Sequence, residues 1–289
     1  MAIQFGKLGS AVLCAVAMSG TAGAADLRLS APPPPPAFNW TGCYVGGYLG
    51  GAWPDDGGTF TDLGNANFRS YSGGVVAGRI ENRHSWNVGS DRSSFSGGGT
   101  LGCNWQPIGS PFVLGFEGEA GYMKFEGSAF DPLRSPTLQA ITPDVFGSAK
   151  VGDWYGMITG RLGYTWDRTL LYVKGGAAFV PVRASVTDSC QTVALGCGNW
   201  ITASRDTSDT LTTWTLGGGV EWALSNNWSV KGEYMFIGLE DGNSLTTCGF
   251  AAAPGGTLVA GGEFCFNHQF AGIHTAKVGL NYRFGPLWR

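Results

Sequence analysis

The sequence predicts an all-β fold: an eight-stranded antiparallel transmembrane β-barrel with short periplasmic turns and four long extracellular loops. Three observations carry this. Apolar and polar residues alternate with period two over eight segments, as in strands with one apolar face. Aromatic residues recur at both ends of the segments, an even number of positions apart: Phe95 and Trp105, Phe112 and Tyr122, Trp154 and Trp166, Trp214 and Trp222, Trp228 and Phe236. An even separation puts both rings on one side, and two such rows one strand-length apart are the girdles of a membrane barrel. The connections alternate between short and long, which places both termini on the periplasmic side.

The elements follow in order. Residues 1–24 combine Lys7, an apolar stretch over 8–18 and the small residues Ala22, Gly23 and Ala24. This is the layout of a secretory signal peptide, cleaved before Ala25. No later run reaches the roughly 18 apolar residues of a membrane helix, so a membrane-embedded chain must cross with strands. Residues 25–39 form a periplasmic linker whose Pro-rich tract, 31–36, is a polyproline II spacer. The barrel occupies 40–284, and 285–289 are a C-terminal extension.

The strands are expected at 40–53, 95–105, 112–125, 154–166, 170–182, 211–223, 228–237 and 274–284. Turn formers at 106–111, 167–168 and 225–227 make the short connections. The long ones are 54–94, 127–153, 183–210 and 238–273. Residues 72–79 either form a hairpin within the first loop or bring the strand number to ten. Trp40, Trp105, Phe112, Trp166, Trp222, Trp228 and Tyr282 are assigned to the periplasmic girdle. Trp53, Phe95, Tyr122, Trp154, Phe179, Trp214 and Phe236 are assigned to the outer one.

Parity separates two faces. Val278, Leu280 and Tyr282 oppose Lys277 and Arg283; Phe112, Leu114 and Phe116 oppose Glu117 and Glu119. The polar face collects Glu117, Glu119, Arg161, Lys174, Glu221, Lys231, Glu233, Lys277 and Arg283. An eight-stranded barrel is just wide enough inside for side chains to fill it, and unpaired charge there is costly. A salt-bridged, closed interior is therefore expected, with a narrow porin-like channel for small solutes as the alternative. A soluble ligand-binding barrel would invert the faces. The aromatic rows, the loop asymmetry and the 48 Gly, more than twice the average share of about 7%, favour the membrane.

The formal charge of −3 and the absence of a basic stripe exclude nucleic acid. Cys14 leaves with the signal peptide. Of the remaining cysteines, Cys190 and Cys197 share the third loop and Cys248 and Cys265 the fourth, so each pair closes locally. Cys43 and Cys103 fall opposite each other if the first two strands pair, which makes a third bridge. The spacings are not those of a metal site. Three His, His84, His268 and His274, do not assemble a base, nucleophile and orienting group, so no enzyme and no cofactor are expected. His84 and His268 read as solvated loop residues.

The stretch Asn39-Trp40-Thr41-Gly42-Cys43-Tyr44-Val45-Gly46-Gly47 resembles the first strand of the small Gram-negative outer-membrane β-barrel proteins. These are the porin-family surface antigens related to the outer-membrane protein A barrel. Gly102-Cys103-Asn104-Trp105-Gln106, Tyr172-Val173-Lys174-Gly175-Gly176 and Lys277-Val278-Gly279-Leu280-Asn281-Tyr282-Arg283-Phe284 resemble later strands of that family. The resemblance implies an outer-membrane location and contact with outer-membrane lipid, lipopolysaccharide and the barrel-insertion machinery. It also implies roles in envelope structure, small-solute passage, or contacts of the loops with host or surface ligands, haem among them. It supplies no catalytic residue.

Overall fold

A computed structural model describes residues 38–55, 58–63, 69–72, 75–79, 85–89, 91–130, 145–188, 204–239, 243–252 and 258–284. The expected signal peptide, nearly all of the linker, the C-terminal extension, His84, Cys190 and Cys197 lie outside these residues.

The strands are β1 (Gly42–Pro54), β2 (Thr59–Asp62), β3 (Arg69–Ser72), β4 (Val75–Arg79), β5 (Ser85–Asn87), β6 (Ser94–Trp105), β7 (Phe112–Tyr122) and β8 (Lys124–Phe130). They continue with β9 (Val145–Gly152), β10 (Tyr155–Trp166), β11 (Thr169–Asp188), β12 (Ser204–Ala223), β13 (Trp228–Ile237), β14 (Ser244–Ala252), β15 (Leu258–Gln269) and β16 (Ile273–Arg283).

Eight of them form a ring. The order β10-β7-β6-β1-β16-β13-β12-β11 is closed by a β10–β11 ladder, and the pairs are antiparallel. First and last strands pair from Tyr44↔Arg283 to Pro54↔Ile273. Closure leaves no unpaired edge, the condition for strands in a solvent that cannot hydrogen-bond. The outward face is apolar: Leu49, Phe95, Leu101, Phe116, Ile158 and Leu171 are each about 60% exposed.

The local chemistry explains the turns. Asp167 takes a left-handed φ of 53° in the two-residue turn that joins β10 to β11, a conformation Asp tolerates. Asn227 holds the β12–β13 turn, its Nδ2 donating to the Arg283 carbonyl at 3.0 Å. The cysteines fall in register: Cys43↔Cys103 on β1 and β6, Cys248↔Cys265 on β14 and β15, both bonded through sulfur. The expected Cys190–Cys197 pair lies outside the described residues.

Several boundaries differ from expectation. The third ring strand ends at Tyr122, not at 125. Met123 turns fully into the core, and Asp153 N donates to its carbonyl at 2.9 Å, so the chain leaves the ring as β8. In the stretches 127–153 and 183–210, expected as loops, residues 127–130, 145–152, 183–188 and 204–210 are strand. β11 and β12 each run for 20 residues, and β9 replaces β10 beside β11 from Val182 upward. β3 and β4 pair in a two-stranded sheet of their own, so the ring has eight strands and not ten. The first and last long loops meet in a four-stranded sheet, β14-β15-β2-β5.

Trp40 is a further correction. Expected in the periplasmic girdle, it is 2% exposed and points inward. It sits an odd number of residues from Trp53, and parity puts it with Tyr44 and Tyr48 on the inner face.

Candidate functional site

The candidate site is the barrel interior, and it is built in three layers. At the short-turn end, Trp40, Val113, Leu170, Tyr172 and Ala223 form an apolar cluster with Phe38 beside it. Gln106 anchors this end: its Oε1 accepts from Trp40 N at 2.8 Å and its Nε2 donates to the Ser110 carbonyl at 2.8 Å.

The middle layer is ionic. β7 contributes Glu117 and Glu119, β10 Arg161, β11 Lys174, β12 Glu221, β13 Lys231 and Glu233, and β16 Lys277. All are buried. Lys174 Nζ lies 2.6 Å from Glu117, 2.9 Å from Glu233 and 3.5 Å from Glu119. Lys231 contacts Glu117 at 3.1 Å; Lys277 contacts Glu119 at 2.5 Å and Glu233 at 3.1 Å. Glu221 stands apart from this knot. It pairs with Arg161 at 2.5 Å and accepts from Ser229 Oγ at 2.5 Å and Asn281 Nδ2 at 2.9 Å.

Four carboxylates thus meet four cations. Removing charges from water costs several kcal/mol per ion, and mutual attraction offsets this only with good geometry and further hydrogen bonds. The tyrosines supply those bonds. Tyr44 Oη donates to Glu117 at 2.5 Å, Tyr155 to Glu119 at 2.8 Å and Tyr172 to Glu233 at 2.9 Å. The Arg161 guanidinium lies 3.5 Å over the Tyr172 ring. The charge pattern alone does not point to these phenols; the parity that places Trp40 inward also places Tyr44 and Tyr48 there.

Inner-face glycines make room for the phenols. A methyl group added at Gly98 would lie 2.5 Å from Tyr48 Oη, and one at Gly102 2.5 Å from Tyr44 Oη. Part of the glycine excess is therefore explained by aromatic side chains of the neighbouring strand β1 lying over β6, where Tyr44 pairs with Gly102 and Tyr48 with Gly98.

Arg283, expected within the charge network, is a correction. It lies at the short-turn mouth, where its guanidinium donates to the carbonyls of Asn39 (2.9 Å) and Asn226 (2.7 Å) and covers the Phe38 ring at 4.4 Å. Carbonyl oxygens and a ring face replace an acid as its partners.

Glu117, Glu119 and Glu233 bring carboxylate oxygens within 4.8 Å of one another, the only such acidic cluster among the described residues. The ammonium groups of Lys174, Lys231 and Lys277 fill the position a metal would take.

The third layer, at the long-loop end, is apolar. Tyr48, Ala52, Tyr155, Met157, Met235 and Ile237 continue into Phe60, Trp86, Leu245 and Phe266 of the loop sheet and Phe270 just after it. His268, expected in solvent, is 1% exposed within this layer, between Phe60 (4.3 Å between ring centres) and Phe270 (4.4 Å). Burial pushes its pKa down to about 4. A buried imidazole is closed to an external ligand. His274 faces outward at the rim, stacked on Trp53, with Nδ1 2.5 Å from Tyr234 Oη.

The sequence pattern of the family described as "Outer membrane protein beta-barrel domain" matches residues 11–284. The 31 kDa outer-membrane immunogenic protein of Brucella melitensis is 31% identical over 288 residues, covering 95% of this chain and 99% of that protein. The 22 kDa outer membrane protein of Rhizobium leguminosarum is 30% identical over 150 residues, 51% of this chain and 55% of that protein. Among solved structures, the outer membrane protein OprG from Pseudomonas aeruginosa superposes with a TM-score of 0.44 at 10% identity, covering 86% of this chain and 98% of that one.

Proposed function

The chain belongs to the outer-membrane β-barrel protein family and resides in the outer membrane; from this premise we propose that it is a closed, non-enzymatic barrel contributing to envelope structure and presenting its loops for surface interactions. The observation that carries the reading is the filled interior. An apolar floor, a fully buried ion network and an apolar cap built from the loops occupy the lumen in succession. A lumen packed this way offers solutes no continuous polar path.

On this reading, residues 1–24 are removed on export, 25–39 are a periplasmic linker and 285–289 follow the closing strand. Barrel-insertion machinery and outer-membrane lipid are its partners in assembly. The Brucella relative is named an immunogenic protein, and by that likeness the long loops here are surface antigens.

Planar-bilayer recording on the purified full chain tests the closed interior. Silence, or rare brief openings, is the expected result. A stable, continuously open conductance would favour the alternative, a narrow channel for small solutes.

A further inference from the structure

The apolar cap conceals a titratable group that the closed interior does not use. His268 lies on β15, opposite Phe60 of β2 on one side and Leu245 of β14 on the other. Its Nδ1 is buried and has no hydrogen-bond partner among the described residues. A methyl group added at Gly58 would lie 2.6 Å from its Cε1 and 2.7 Å from its Nε2, so the backbone entering β2 presses on the ring edge.

The strands packed on this imidazole bring it no counter-charge. Phe60 and Thr61 of β2, Trp86 of β5 and Leu245 of β14 are neutral, and Asp62 stands opposite Phe266, two residues further along. Burial is the sole cause of the lowered His268 pKa. An imidazolium here would be a buried charge without a partner, and that is costly.

A proton can nevertheless reach it. A cavity of about 30 Å3 lies between the cap and the β8–β9 pair: Gly58, Val88 and His268 line one side, Phe125, Glu126 and Val151 the other. That is room for about two waters, too little for a larger ligand. No β-ladder crosses this seam among the described residues. β2, β5, β14 and β15 form their own sheet, whereas β8 and β9 belong to the sheet of the ring. Apolar packing joins the two, with Phe60, Trp86, Phe125, Val151 and Phe270 in one cluster. Glu126 is the other titratable group in the lining, and it is engaged by Lys124 at 2.9 Å and Lys150 at 4.0 Å. Asp91 binds the Glu126 backbone, its amide donating to the carbonyl at 3.0 Å and its Oδ2 accepting from the amide at 3.1 Å.

We infer that this seam is an acid-operated latch: protonation of His268 parts the loop sheet from β8 and β9 and uncovers their shared apolar face, while the ring stays closed. An interface held shut by a neutral buried histidine is a bistable element that a proton biases. The loops then present a different surface in acid. The device rests on the barrel reading and is independent of whether the lumen conducts.

Hydroxyl-radical footprinting of the full chain in phosphocholine nanodiscs, read by mass spectrometry, tests it, because oxidation reports side-chain exposure directly. At pH 4 the opening equilibrium should shift on the order of a hundredfold relative to pH 7, as follows from a pKa of about 6.5 in the open state and about 4 in the closed one. Oxidation of Trp86, Phe125 and Phe270 should rise together, several-fold, while Tyr44 and Tyr172 within the ring stay protected. His268→Phe should hold the seam shut at pH 4, and His268→Arg should open it at pH 7. Glu126→Gln should keep the acid response. Unchanged protection of the three seam residues in acid, a response that survives His268→Phe, or one that vanishes in Glu126→Gln would overturn the latch. Oxidation of Tyr44 and Tyr172 along with the seam would show general unfolding and overturn it too. A chain that lacks heat-modifiability at pH 7 would overturn the barrel reading beneath it.

Discussion

The middle and upper layers of the lumen close the same cylinder by opposite means. The middle layer is made entirely by ring strands and held by short, directional charge pairs, with Lys174 shared among three carboxylates. The upper layer is apolar, and much of it arrives from the loop sheet, through Phe60, Trp86 and Phe266. Charge pairs cannot tolerate loss of one member; apolar packing degrades in proportion to the volume removed. The two layers should therefore fail differently. A ring can lose its loop cap and remain a ring, whereas an unbalanced charge in mid-lumen destabilises the ring itself.

The largest effect should come from Lys174→Met. It leaves Glu117, Glu119 and Glu233 short of one cation, and loss of about 3–5 kcal/mol is expected in denaturant unfolding followed by tryptophan fluorescence. The double change Lys174→Met with Glu117→Gln should recover part of this. If the single change is as mild as the double, the network is not what holds the ring.

Phe60→Ala should cost about 3–5 kcal/mol of cap stability, as for other buried aromatic truncations. Its signature is local: faster proteolysis in the loops with unchanged heat-modifiability of the ring. Joint loss of both would show that the layers unfold as one unit and erase the distinction drawn here.

The cap should also respond to acid at a higher pH than the ring, whose paired carboxylates protonate only below about pH 5. His268 has a lowered pKa of about 4 when folded, against about 6.5 when unfolded. The unfolded cap therefore binds the extra proton first. Stability is complete above pH 6.5 and declines as pH falls toward 4, by up to ~3 kcal/mol. Hydrogen exchange of β15 amides across that range measures it, and His268→Gln should flatten the profile. A slope that persists in the variant would assign the effect to another group.

The smallest effect expected is that of Gly102→Ala, whose methyl meets Tyr44 Oη at 2.5 Å and Tyr44 Cζ at 2.6 Å, nearer than any backbone atom. A cost of about 1–3 kcal/mol follows from overpacking. It should shrink in a Tyr44→Ala background, where the crowding ring is gone; an equal cost in both would point to the Phe116 carbonyl, 2.8 Å away, instead.

Much of this molecule was legible in its residue pattern, because alternation and even spacing are local properties. The eight ring strands, their apolar outer faces, the short turns and the Cys43–Cys103 and Cys248–Cys265 bridges all follow from counting along the chain. Parity also contained the inward position of Trp40, Tyr44 and Tyr48, although the aromatic character of Trp40 drew it to the girdle. Alternation assigns Glu117, Lys174, Lys231 and Lys277 to one face but cannot say which meets which. That depends on the stagger at which the ring closes, since stagger sets which inward residues share a level. Only the closed structure places Lys174 among three acids, moves Arg283 to carbonyls at the mouth, and joins two loops far apart in sequence into a sheet that buries His268. These are long-range pairings, and no local periodicity encodes them.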